Sequence, residues 1–190
     1  MGMDVYGLNP KLVGEKPERP DWNKATEEET QAYFKAIDAF EEANPGYYFR
    51  ANVWAWRPIH AICDLAIQIA ELPLSTKGWG DNSGNGLKNQ EDCNTLADAI
   101  DVYLTLNQAN IKNEDEKLYI CLGMWVYADG TFVEPEKWKT LDNEYPEGTI
   151  MYNGIVDSDG KLIFPAYGVS MWHIREFVNF LRNCGGFEIC

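Results

Sequence analysis

The sequence predicts an α+β fold: a single domain over residues 1–190, with a small mixed or antiparallel sheet and three to four helices. Three observations predict it. Short strand-like runs stand at both ends, Met3–Tyr6 and Phe187–Cys190. Helical-period segments recur in the first half and again after Ser170, while the stretch from Leu118 breaks into hairpin-like pieces. The 190 residues are 45% hydrophobic and 13% aromatic, which supports one core and excludes global disorder.

The elements follow in order. Met3–Tyr6 is a strand, and Lys11–Asn23, punctuated by Gly14, Pro17 and Pro20, is loop. Thr26 and Glu29 form a capping box ahead of Tyr33, Phe34, Ile37 and Phe40 at helical spacing. Asn44-Pro45-Gly46 stops that helix. Tyr47–Trp56 alternates as a strand would, with Tyr48, Arg50, Asn52, Trp54 and Trp56 on one face. Pro58 is placed to open a second helix, which Pro73 ends.

The turn-rich run Gly78–Gly86 comes next, and Asn89 can cap a third helix bearing Leu96, Ile100 and Tyr103. Leu118–Tyr127 with Thr131–Val133, turning at Asp129-Gly130, and Ile150–Val156 with Lys161–Phe164, turning around Asp157–Gly160, read as hairpins. Ser170 can cap the last helix, and Cys184-Gly185-Gly186 stops it before the final strand. The two terminal strands are suited to pair with each other. No repeat of 20–50 residues occurs.

Sixteen basic against thirty acidic residues leave a formal charge of −14. That balance argues against direct nucleic-acid binding and against an anionic membrane surface, both of which recruit excess Lys and Arg. The acidity is uneven: residues 81–147 carry fourteen acids and five lysines, whereas 51–80 are neutral. A solvated acidic face explains this, and so does a surface for a basic partner. Met1–Pro10 holds Asp4 and Asn9 where a secretory signal needs a basic start and an apolar run, and no stretch is long enough to span a bilayer. A cytoplasmic protein with five reduced cysteines is expected.

Two constellations bear on function. The first is Tyr48–Pro58. As a strand, one face would present Arg50, Asn52, Trp54 and Trp56, with Arg57 beside them. Indoles stack on planar rings, guanidinium forks onto phosphate and Asn reads donor–acceptor edges, which is the inventory of a nucleotide pocket. The same pattern equally suits indoles buried in a core with Arg50 paired to a carboxylate. The second is the glycine-rich loop, with Trp79, Asp81, Asn82, Gly84 and Gly86. It matches an EF-hand at Asp81, Ser83, Asn85, Gly86, Asn89 and Asp92, but with two carboxylates only and no incoming helix. It also fits a loop whose N–H groups hold an anion, or a plain surface loop with Asx turns.

His60 and His173 stand in no metal-ligand spacing, and no nucleophile elbow, phosphate loop or dinucleotide fingerprint occurs. No catalytic residue, metal or cofactor is therefore assigned.

The opening Met1-Gly-Met-Asp-Val-Tyr-Gly7 and the close Phe177–Cys190, ending Cys-Gly-Gly-Phe-Glu-Ile-Cys, resemble a group of small bacteriophage and prophage accessory proteins. Tyr48–Pro58 and the Asn82–Leu87 loop fit the same pattern. The resemblance implies a protein acting in the infected bacterial cytoplasm and implies no catalytic residue. By analogy with phage proteins that sequester nucleotide-derived immune signals, it suggests a non-catalytic binder. The expected ligand is a small anionic nucleotide derivative held by Arg50, Asn52, Trp54, Trp56, Arg57, Trp79, Asp81, Asn82, Gly84 and Gly86. The alternatives are an acidic inhibitor of a basic host protein and a nucleotide hydrolase.

Overall fold

The computed structural model describes residues 2–106, 111–112, 117–126, 150–155 and 167–190, with side-chain detail for 2–106 and 168–190. The order is β1 (Gly2–Gly7), α1 (Glu27–Ala43), β2 (Tyr48–Asn52), α2 (Val53–Ile69), α3 (Gln90–Leu106), β3 (Ile111–Lys112), β4 (Lys117–Val126), β5 (Ile150–Ile155), β6 (Tyr167–Ser170), α4 (Met171–Leu181) and β7 (Phe187–Ile189). Among the described residues, four helices and antiparallel strand pairing make a compact α+β arrangement, as the sequence predicts. The turns at 129–130 and 157–160, the strands at 131–133 and 161–164, and the acidic residues from 114 to 147 lie outside the described residues.

The terminal strands do pair. β1 lies between β2 and β7, antiparallel to both, with Asp4 opposite Arg50 and Val5 opposite Ile189. Alternation along β1 sends Met3 and Val5 into the core and Asp4 and Tyr6 outward. A second sheet is built on β4, which pairs antiparallel with β3, β5 and β6. The helix α2 packs on α3 and also touches β1, β2, β4 and β6, so it lies between the two sheets.

Three predicted caps are in place. Thr26 and Glu29 bond reciprocally at the start of α1. Asn89 Oδ1 accepts from the Asp92 N–H at 2.8 Å ahead of α3, and Ser170 Oγ accepts from His173 N–H at 3.2 Å ahead of α4. The boundary between β2 and α2 is different from the predicted one. The strand ends at Asn52, whose Oδ1 accepts from Ala55 N–H at 2.9 Å and so opens the helix five residues before Pro58. Pro58 sits inside α2, in its second turn, and brings no N–H to the helical ladder.

That shift redistributes the expected face. Helical rather than strand geometry turns Trp56 inward, to 1% exposure, and leaves Trp54 at 59%. The core is strongly aromatic: Trp56 meets Phe177 edge to face at 5.6 Å, Trp79 meets Phe187 at 5.0 Å, and Phe49 meets Phe177 at 5.0 Å. Between α3 and the end of α4, Gln90 donates to the Leu181 carbonyl at 2.8 Å and accepts from the Gly185 N–H at 2.7 Å. Beneath that link the Cys93 and Cys184 sulfurs lie 3.6 Å apart as buried free thiols. Among the described residues, no helix is long and apolar enough to cross a membrane.

Candidate functional site

The glycine-rich loop is built into the sheet. Gly84 N–H donates to the Ile189 carbonyl at 2.8 Å, Ile189 N–H to the Asn85 carbonyl at 3.0 Å, and Phe187 N–H to the Leu87 carbonyl at 2.7 Å. The loop thereby covers the outer edge of β7 in antiparallel fashion. Gly86 allows this approach, because a Cβ there would lie 2.1 Å from the Phe187 carbonyl oxygen. Asn82 donates to the Gly2 carbonyl at 3.2 Å, and Asn85 to the Ser83 hydroxyl. Asp81 is exposed. The Gly84 N–H and the Asn82, Ser83 and Asn85 side chains of this loop thus serve the sheet edge and the loop's own turns.

The indoles divide as the fold dictates. Trp56 Nε1 donates to the Trp79 carbonyl at 2.6 Å, and both side chains are 1% exposed. Neither can stack on a ligand, so both leave the expected binding set; each finds its hydrogen-bond or ring partner inside the core. Trp54 and Arg57 meet one turn apart on the outside of α2, with the guanidinium carbon 5.6 Å from the ring centre.

Arg50 and Asn52 remain together in one cleft of about 510 Å³, shared with Ala55, Gly168, Ser170 and His173. Asn52 is the cap of α2 and Ser170 the cap of α4. Two helix N-termini, each the positive end of its dipole, therefore face the same space. Arg50 stands over it with 71% of its side chain exposed. Its Nε is 3.8 Å from Asp4 across the strand pair, and Asp4 also accepts the Tyr48 hydroxyl. An exposed pair of this length contributes little to stability and orients the guanidinium.

His173 was not singled out by its spacing, since a lone histidine in a first helical turn carries no signal. Its ring lies against Phe49 at 4.9 Å, and its buried Nε2 has no hydrogen-bond partner. Burial holds the imidazole below its ordinary pKa, although Nδ1 is 3.6 Å from Glu176. The ring is neutral at pH 7, with Nε2 enclosed against the core.

A second cleft, of about 530 Å³, begins at the same Arg50 and His173 and carries Glu41, Glu42, Glu176 and the 65%-exposed Trp172 on its walls. Burial raises the pKa of both Glu41 and Glu176.

No cluster of three or more potential metal ligands occurs among the described residues. Of the EF-hand positions, Asn89 caps α3 and also donates to Asp92, so two of the six donors are already committed to the helix start. Thermal melts in EDTA and in added calcium are expected to coincide. A stabilisation of several degrees by micromolar calcium would contradict this assignment. Comparison with protein-family models, curated proteins and solved structures finds no match for this chain.

Proposed function

We propose that the protein is a non-catalytic binder of a small anionic nucleotide derivative, held in the cleft between the N-termini of α2 and α4. One observation carries the reading: two capped helix starts and Arg50 converge on a single cleft. Dipole ends and a guanidinium are the means by which proteins hold phosphate groups without a metal. The amide NH2 of the exposed Asn52 adds a polar group that can address a base or ribose. A sequestering protein needs affinity without turnover, in keeping with the accessory role that the resemblance of the chain ends implies.

The test is Arg50→Ala, followed by equilibrium binding of a panel of linear and cyclic nucleotides. The variant is expected to fold, since its side chain is exposed, and to lose about 1–3 kcal/mol of binding, or about 5- to 150-fold in affinity. Parent-like binding of every nucleotide by Arg50→Ala would overturn the reading. The rival is an inhibitor that meets a basic host protein through the acidic 81–147 segment, and Glu41, Glu42 and Glu176 in the second cleft offer a separate acidic wall. Such a complex should weaken steeply with salt, whereas an enclosed anion responds less.

A further inference from the structure

A third pocket, of about 460 Å³, lies apart from the Arg50 cleft, between α1, the outer side of β1 and β2, and the connection from β1 to α1. Four tyrosines line it, Tyr6, Tyr33, Tyr47 and Tyr48, with Lys16 and Arg19 from the connection. Tyr6 and Tyr48 lie 5.1 Å apart with tilted rings, and the Lys16 ammonium is 5.1 Å from the centre of the Tyr47 ring.

The connection has no regular secondary structure, yet it is pinned at two points. At one, the buried amide of Asn44 accepts from the Val13 N–H at 2.6 Å and donates to the Val13 carbonyl at 3.0 Å. At the other, Trp22 stacks on Phe34 at 5.7 Å and meets Tyr33 edge-on at 5.4 Å, while Arg19 lies 5.5 Å over the indole. Pro17 and Pro20 stiffen the chain between the pins. The result is a strap that carries two cations to the rim of a phenol-lined pocket.

Neither cation is spent on an ion pair: among the described residues no carboxylate lies within 4.0 Å of Lys16 or Arg19. In a chain with a charge of −14, two cations on one pocket's lining, with no ion pair among the described residues, are a selective attraction for an anion. Phenol rings are stacking surfaces for a planar ring. Glu41, on the opposite wall, would repel a phosphate and accept from an amino group.

We propose that this pocket is a second binding site, for a planar ring carrying a phosphate, with the ring among the tyrosines and the phosphate at Lys16 and Arg19. It shares no lining residue with the cleft between α2 and α4. A nucleoside monophosphate and an aryl phosphate share this chemistry. Calorimetric titration of the full chain with adenosine monophosphate, phenyl phosphate, inorganic phosphate and adenosine separates its parts.

At least one of the two ring phosphates is expected to bind, with inorganic phosphate and adenosine at least about tenfold weaker. Binding of adenosine monophosphate alone names a nucleotide site, and binding of both names a general aryl-phosphate site. The double variant Lys16→Ala/Arg19→Ala, exposed at both positions and checked by its melt, is expected to lose at least about tenfold. Arg50→Ala is expected to leave this binding unchanged. The proposal is overturned if neither ring phosphate binds or if the double variant binds as the parent does. It is also overturned if Arg50→Ala removes the binding, and that result would leave the α2–α4 cleft as the nucleotide site.

Discussion

Trp56→Ala is expected to lower the unfolding free energy by about 3–5 kcal/mol, while Trp54→Ala, two residues earlier, changes it by less than about 1 kcal/mol. A continuous strand through Trp56 would place both indoles on one face, and the two substitutions would then have similar effects. The helix beginning at Val53 separates them. Trp56 is 1% exposed, packs edge to face on Phe177 and donates its indole N–H to the Trp79 carbonyl. Truncation leaves a large cavity among aromatic rings and a buried carbonyl without its donor, and both costs add. Trp54 is mostly in solvent against Arg57, where an exposed cation–π pair is worth about 0.5–1 kcal/mol. Urea unfolding of the two variants measures the difference directly. Equal losses would place the strand–helix boundary elsewhere.

The features legible in the sequence were those that local chemistry decides. The Thr26–Glu29 box, the Asn89 and Ser170 caps and the Asn44-Pro45-Gly46 stop each act within four residues, so the residue types alone announce them. The pairing of the chain ends was also readable from the strand-like runs Met3–Tyr6 and Phe187–Cys190, although β2 on the other side of β1 was not.

The β2–α2 junction was not readable by periodicity. Trp54 and Trp56 continue the two-residue rhythm of Tyr48 and Arg50 by coincidence, and only the capping side chain of Asn52 marks the change. Asn52, an N-cap residue type six positions before Pro58, was the signal available. Of the ten expected ligand contacts, Arg50 and Asn52 reach a common cleft, whereas Trp56 and Trp79 are held in the core. The strap from 13 to 22 could not be placed from sequence at all. Its path depends on Asn44, 31 residues from Val13, and on Trp22 finding the outer face of α1.

Gly86→Ala carries the second large expected effect, and it tests how the loop is used. An anion nest needs its glycines for backbone conformation, whereas a sheet-edge cover needs them for close approach. At Gly86 a Cβ would stand 2.1 Å from the Phe187 carbonyl oxygen and 2.8 Å from the Phe187 ring. Neither atom can yield cheaply. Phe187 is fully buried, its ring is wedged among Trp79, Phe177 and Phe180, and its N–H is bonded to the Leu87 carbonyl. Relief requires the loop to lift off β7, giving up the three backbone hydrogen bonds that hold it there. The expected loss is about 3 kcal/mol or more, at the upper end for overpacking. Gly84 supplies the contrast: its φ of +75° strains any other residue, but nothing lies within 4 Å of a Cβ there. Gly84→Ala should therefore cost only the left-handed penalty of about 1–2 kcal/mol. Paired thermal and urea unfolding of the two variants decides the matter. If Gly86→Ala proves the milder substitution, the loop does not lie against β7 in solution, and its N–H groups return to consideration as an anion site.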